Sequence, residues 1–250
     1  MSLGYDLSCA TLSQEGKIYQ LDYANKAIET APTVLGVVCE DGVVLVSEKI
    51  RSSKTLVEGS NPTIYSVSKN IGIAICGLLP DGRNLFSRAK AEASGYLSNF
   101  GIDITGKILT ERLAQYIHAH TLYFSSRPFG ASVLISSFEK DTGAHLYMIE
   151  SNGNWFEYYT TSQGKGRQYV KTEIEKNNFS ILKLKCKDGI YDYLKVVMRS
   201  YEGEKETEYD VSFISKLDGL HRLVDRKEIT AMFEKAKIQI EEDRKMNIDN

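Results

Sequence analysis

Thr33-Val-Leu-Gly-Val-Val-Cys39, Glu40-Asp41-Gly42 and Val43-Val-Leu-Val-Ser-Glu48 read as two β-rich runs with an Asp-Gly pair between them. Valine and leucine suit a pleated, buried surface. Asp-Gly between such runs predicts a tight hairpin, because glycine tolerates the positive φ of a short turn. A hairpin means antiparallel pairing, and that pairing decides the class of fold.

Working outward, residues 64–67 form a further short strand. In Ile71-Gly-Ile-Ala-Ile-Cys76 isoleucines alternate with Gly, Ala and Cys, so one face fills a core and the other admits a second layer closely. The period then becomes helical. Leu85, Ala89, Ala93, Leu97 and Phe100 make one stripe; Leu109, Leu113, Tyr116, Ile117 and Phe124 make another. Strands are expected again at 130–138, 144–149 and 155–161, separated by Asp141-Thr-Gly143 and Ser151-Asn-Gly153 turns. Helices around 166–177 and 188–201 follow, then a strand pair around 209–224 turning at Asp218-Gly219. A last helix carries Ile229, Phe233, Ala236 and Ile240 on one face. On the other side of the hairpin, Leu21, Ala24 and Ile28 place a short helix at 18–30, stopped by Pro32.

Helices come in pairs rather than after every strand, which excludes a doubly wound sheet. The expected class is α+β: two antiparallel sheets face to face with helices outside, a four-layer α-β-β-α sandwich. No Pro/Gly/Ser linker interrupts residues 1–250, so one domain is expected.

The 250 residues carry 31 basic and 33 acidic side chains, well mixed, for a net charge of -2. A nucleic-acid footprint would need a clustered basic excess, so no nucleic-acid partner is expected. No apolar run reaches the length of a membrane span, and no secretory pattern opens the chain. Cys9, Cys39, Cys76 and Cys186 are scattered and read as reduced thiols of an intracellular protein. Asn178-Phe-Ser180 matches a glycosylation sequon by chance.

Gly164-Lys165-Gly166 follows a strand and opens a helix, where an anion could be met. It lacks the third glycine of a dinucleotide fingerprint, Tyr169 standing there, so a plain strand-to-helix turn is the leading reading. His118 and His120 are two apart on a helix and cannot chelate one metal together; His120 reads as a hydrogen-bonded core residue. His145 and His221 show no partner in the sequence. No nucleophile elbow occurs, and no catalytic residue, cofactor or metal is expected.

Gly4-Tyr5-Asp6-Leu7, followed by Ser13-Gln-Glu-Gly16-Lys17-Ile-Tyr-Gln20-Leu-Asp22-Tyr23-Ala24-Asn-Lys-Ala27, resembles the signature of alpha subunits of the proteasome core particle. Asp41-Gly42-Val-Val, Gly77-Leu-Leu, Arg127-Pro-Phe-Gly130, Tyr147-Met-Ile and Lys171-Thr-Glu173-Ile-Glu-Lys176 extend the likeness. Glu58-Gly-Ser-Asn61 and Ser98-Asn-Phe-Gly101 make it most similar to the type-3 kind. The resemblance implies the fold of N-terminal-nucleophile hydrolases, with residues 1–17 as a gate segment and 18–30 as the N-terminal helix. It also implies a non-catalytic ring subunit in cytoplasm and nucleus, contributing to ubiquitin-dependent protein degradation. Its partners would be neighbouring alpha subunits, beta subunits of the inner rings, regulatory caps or activators, and unfolded protein substrates in transit.

Catalytic beta relatives place a free threonine at the start of the first core strand. Counting back from Gly36, that position is Pro32 here, and Thr33 is one residue out of register. The gate cluster implied by the resemblance is Tyr5, Asp6 and Tyr23, with Gln14 where the family has proline and Leu12 where it has an aromatic. The basic residue that meets activator C-termini is replaced by Pro62-Thr63, and the acidic tail is reduced to Glu241-Glu-Asp243 and Asp249. Two other classes of function stay open from the residues alone. One is a stand-alone N-terminal-nucleophile amidohydrolase; the other is a small-molecule binding module at Gly164–Arg167.

Overall fold

The computed structural model describes residues 4–51, 53–176, 184–201 and 206–246, with 244–246 in backbone only. The sequon at 178–180 and Asp249 lie outside the described residues. In chain order the elements are α1 (Tyr19–Glu29), β1 (Val34–Cys39), β2 (Gly42–Ile50), β3 (Ile64–Ser68), β4 (Ile71–Gly77), α2 (Leu79–Phe100) and α3 (Gly106–Ala119). There follow β5 (Ala131–Glu139), β6 (Gly143–Ile149), β7 (Trp155–Glu157), β8 (Thr160–Gln163), α4 (Arg167–Lys176), α5 (Cys186–Arg199), β9 (Thr207–Ser215), β10 (His221–Leu223) and α6 (Arg226–Met246).

Two five-stranded sheets result, ordered β10-β9-β2-β1-β8 and β3-β4-β5-β6-β7, with every pairing antiparallel. The expected sandwich is present, and strand alternation builds its three apolar layers. Ile71, Ile73 and Ile75 of β4 join Val133 and Ile135 of β5 beneath α2 and α3. The opposite faces of the same strands, Ala74, Cys76 and Leu134, meet Val43 and Leu45 of β2 between the sheets. Leu35, Val37, Val44 and Val46 face α4, α5 and α6. Removing those side chains from water, at about 25 cal/mol per Å² of apolar area, is the main force holding the layers together.

Three expectations change. Asp41-Gly42 is not the turn itself: Cys39 pairs with Gly42, which leaves Glu40 and Asp41 as the loop. Gly42 is needed for closeness, since a Cβ there would overlap Ile214 O on β9 and stand 2.9 Å from Cys186 Sγ. The single strand expected at 155–161 is two strands in different sheets. Tyr158 N still donates to Leu146 O of β6 at 2.9 Å, while Tyr159 O already accepts from Val38 N of β1 at 2.8 Å. The chain therefore changes sheets at one peptide link. Finally, both helical stripes end early: Leu97 and Phe100 at the end of α2 are exposed, and α3 stops at Ala119 with Phe124 exposed beyond it.

The matched Arg127-Pro-Phe-Gly130 segment is tied to the first turn of α2. Arg127 Nη1 and Nη2 donate to Asp81 Oδ2 and Oδ1 at 2.6 and 2.7 Å, and Gly130 N donates to Asp81 Oδ2 at 2.9 Å. The Arg127 guanidinium holds the Asp81 carboxyl below its ordinary range against the opposing effect of burial.

Candidate functional site

The start of β1 is where a threonine nucleophile would have to stand. Pro32 is in unbroken chain there, and Thr33 is 1% exposed. Thr33 N is an amide that donates to Glu48 Oε2 at 3.0 Å, so it has no lone pair with which to take a proton. Thr33 Oγ1 accepts from Gly166 N at 3.0 Å and lies 3.4 Å from Ser200 Oγ, whose own proton goes to Val197 O at 2.7 Å. The hydroxyl is thus buried and already hydrogen-bonded to the main chain. Glu48 is 2% exposed with Oε1 unpartnered, and burial pushes its carboxyl up despite the Thr33 hydrogen bonds and nearby Lys165. Nothing in the sequence singles out Glu48, because an acidic residue late in a strand ordinarily faces water.

The same contacts explain Gly164 and Gly166. Gly164 has φ +98, and a Cβ on it would stand 2.5 Å from Pro32 O; one on Gly166 would stand 2.6 Å from Thr33 Oγ1. Lys165 N donates to Ala31 O at 2.9 Å. The amides that could greet a phosphate at this helix start are spent on residues 31–33, so the loop is a packing turn.

Ahead of this point, residues 4–17 lie on the body of the molecule. Gln20 Nε2 of α1 donates to Asp6 O, which ties the segment to the helix that follows it. Cys9 is buried, its Sγ directed at the carbonyls of Tyr123 and Ser126 at 3.2 and 3.4 Å, beyond the end of α3. Tyr5 is half-buried and Tyr23 is 53% exposed on α1, one turn past Gln20. Gln14 takes the second position of a turn closed by Gly16 N to Ser13 O at 2.9 Å. Ser13 Oγ accepts from Lys17 N at 3.1 Å as well, so the turn that proline would preset is formed by serine instead. Neither the Gln20 bond nor the Cys9 anchor was visible in the sequence, since both join residues far apart or through main-chain groups.

At Pro62–Thr63 the position lacking a basic residue is closed. Pro62 O accepts from Tyr65 OH at 2.7 Å. Thr63 N and Oγ1 donate to Asp210 Oδ2 at 2.9 and 3.1 Å, with Oγ1 also 2.8 Å from Ser47 Oγ. Lys49 Nζ is committed to Asp210 at 2.9 Å and to Glu208 at 3.5 Å. The histidines acquire partners that the sequence did not offer. His145 meets Glu157 Oε1 and Thr142 Oγ1 at 2.5 and 2.8 Å, and buried His221 meets Ser66 Oγ at 2.7 Å. His120 caps α3, bonding Tyr116 O at 3.0 Å and lying against Phe129.

A family model described as "Proteasome subunit" matches residues 28–214, and a second, the N-terminal signature of A-type proteasome subunits, matches residues 5–27. The chain is 41% identical over 208 residues to the alpha type-3 proteasome subunit of Arabidopsis thaliana, covering 83% of this chain and 82% of that one. It is 38% identical over 247 residues to the alpha type-3 subunit of Acanthamoeba castellanii, covering 98% and 97%. It is also 38% identical over 226 residues to the probable alpha type-7 subunit of Saccharomyces cerevisiae, covering 88% and 78%.

Proposed function

Because the chain belongs to the proteasome subunit family as an alpha-type member, we propose a division of labour within it between a blocked catalytic position and a seated gate segment. The chain is a non-catalytic alpha-ring subunit of a protein-degrading complex. Peptide-bond hydrolysis falls to beta partners, and unfolded substrates pass this chain uncut on their way to them. The observation that carries this reading is the start of β1. Pro32 offers no hydroxyl, and Thr33 has an amide nitrogen and a buried hydroxyl already engaged by Gly166 N.

Residues 1–17 act as one arm of the gate. Tyr5, Asp6 and Tyr23 form its latch, with the Ser13-Gln14 turn in place of the proline turn. The Gln20–Asp6 and Cys9 contacts support this, since they fix the base of the segment while leaving Tyr23 open to a neighbour. Caps or activators that insert a C-terminal carboxylate between alpha subunits meet Pro62–Thr63 here in place of a cation, and nearby Lys49 is already paired. Docking there is correspondingly weak. The assembled complex works in the cytoplasm and nucleus.

The test is reconstitution of the particle with this chain whole and with residues 1–12 deleted. Deletion should raise basal hydrolysis of a small peptide several-fold without altering sensitivity to a threonine-directed inhibitor. The chain alone should cleave nothing. Hydrolysis by the isolated chain, or failure to join alpha partners on co-expression, would overturn the reading.

A further inference from the structure

Four cysteines are free and buried, and two of them, Cys39 and Cys186, belong to one apolar cluster. Cys39 closes β1 and pairs across the hairpin with Gly42; a Cβ on Gly42 would stand 2.9 Å from Cys186 Sγ. The Cys186 sulfur therefore lies over the hairpin end that also carries Cys39. From the other side, Cys186 and Tyr193 are seven residues apart on α5, two turns along one helical face. Tyr193 leans back along that face. Its hydroxyl would be 2.7 Å from a Cβ on Gly189, and it reaches Cys39 Sγ at 3.3 Å. Cys39, Cys186 and Tyr193 thus share one apolar cluster between the first sheet and the outer helices.

The geometry points to Cys39 and Cys186 as an oxidisable pair that closes under a peroxide into a disulfide, stapling the start of α5 to the β1–β2 hairpin. The two thiols are not equivalent. Hydrogen bonding with Cys186 and with the Tyr193 hydroxyl favours the Cys39 thiolate and holds it below the ordinary thiol range despite burial. Cys186 is pushed the other way by Cys39, by burial and by Asp41, whose carboxylate takes the Cys186 N–H at 2.7 Å. Cys39 is the attacking sulfur and Cys186 the resolving one.

The steps balance. The Cys39 thiolate attacks one oxygen of hydrogen peroxide, the O–O bond breaks, and hydroxide leaves and takes up a proton as water, giving a sulfenic acid. The Cys186 sulfur then attacks Cys39 Sγ, forming the S–S bond. The S–OH bond breaks, and its hydroxide leaves with the Cys186 proton as a second water. Two thiols are oxidised and one peroxide is reduced to two waters. With Cys39 5% exposed and Cys186 0%, a small oxidant fits this step better than a bulky disulfide does.

Cys9 and Cys76 serve as internal controls. Cys9 sits beyond the end of α3, and Cys76 lies between the sheets, where burial pushes its thiol up to about 12. The folded full chain is treated with hydrogen peroxide, denatured with a thiol alkylator, digested and mapped by mass. The expected result is one reducible peptide pair joining Cys39 to Cys186, with Cys9 and Cys76 alkylated. In Cys186→Ser a sulfenic acid at Cys39 should be trapped by dimedone, whereas in Cys39→Ser the Cys186 thiol should stay alkylatable. Should either variant fail to fold, the peptide map of the unmodified chain decides alone. Recovery of both sulfurs as thiols, separate higher oxides at each, or a link to Cys9 or Cys76 would overturn the proposal.

Discussion

At His221 a single side chain joins the edges of the two sheets, and the cost of that join depends on pH. Its ring on β10 is buried against Gly72 of β4, Nδ1 meets Ser66 of β3, and Nε2 has no partner among the described residues. Burial lowers its pKa from 6.5 to about 4, since the charged form loses its hydration there. Between those values the unfolded chain holds more protons than the folded one, so stability rises with pH across the interval. The contribution is complete above the unfolded value of 6.5 and is lost as pH falls through the folded value of about 4, a swing of about 3 kcal/mol. Urea midpoints of the chain and of His221→Gln, compared from about pH 7.5 down to about 4.5, should show the variant with the shallower slope. Equal slopes would remove His221 as the cause. Residue-scale reading of the sequence was least secure at such places. Asp41-Gly42 carries a turn signal, yet Gly42 is a strand residue kept small by Ile214 and Cys186. The chain's local pattern was legible; what crosses over it was not.

Elements were legible where side-chain period alone defines them. The isoleucine alternation of β4 sorts correctly into two layers, and Leu85, Ala89 and Ala93 of α2 and Leu109, Leu113 and Ile117 of α3 face the sheet as their spacing requires. The split of 155–161 into β7 and β8 was not legible, because both halves have the same β-favouring residues. Only the hydrogen-bond partners of Tyr158 and Tyr159 distinguish the sheets. The same limit hid the tie between α2 and the segment before β5, made by Asp81 with Arg127 and Gly130. Arg127 is largely exposed, so its Coulombic share is discounted for solvent, and the buried hydrogen bond to Gly130 N carries more weight. Asp81→Ala should cost about 2 kcal/mol, chiefly by leaving that N–H unsatisfied, whereas Asp81→Asn should cost about half as much. Denaturant midpoints would measure both. A loss in Asp81→Asn equal to that in Asp81→Ala would assign the effect to charge instead.

For the whole molecule, the distribution of apolar surface argues for assembly at two separate places. α2 and α3 form a hairpin, and each end carries apolar side chains left in water. Leu97, Phe100 and Ile102 are exposed where α2 gives way to α3. Leu122, Tyr123 and Phe124 are exposed at the far end, where Cys9 brings the N-terminal segment with its own exposed Leu7 and Leu12. Isolated exposed apolar residues are ordinary, but clusters of this kind at opposite ends of one hairpin suit two different contacts. Under the proposed function, the end beside the N-terminal segment would meet alpha neighbours, and the 97–102 end would be left for another ring. Phe100 is largely exposed and touches Tyr96 of its own helix, so Phe100→Ser should lower the melting temperature of the free chain by only about 2 °C or less. In a particle where that ring is buried, losing about 1.5–3 kcal/mol of apolar burial should cut incorporation about tenfold or more in competition with the unaltered chain. Tyr123→Ser should weaken pairing with alpha partners while sparing contact through the 97–102 end. Equal incorporation of Phe100→Ser would mean that its exposure persists in the particle. Loss of the same contacts in both variants would merge the two surfaces into one.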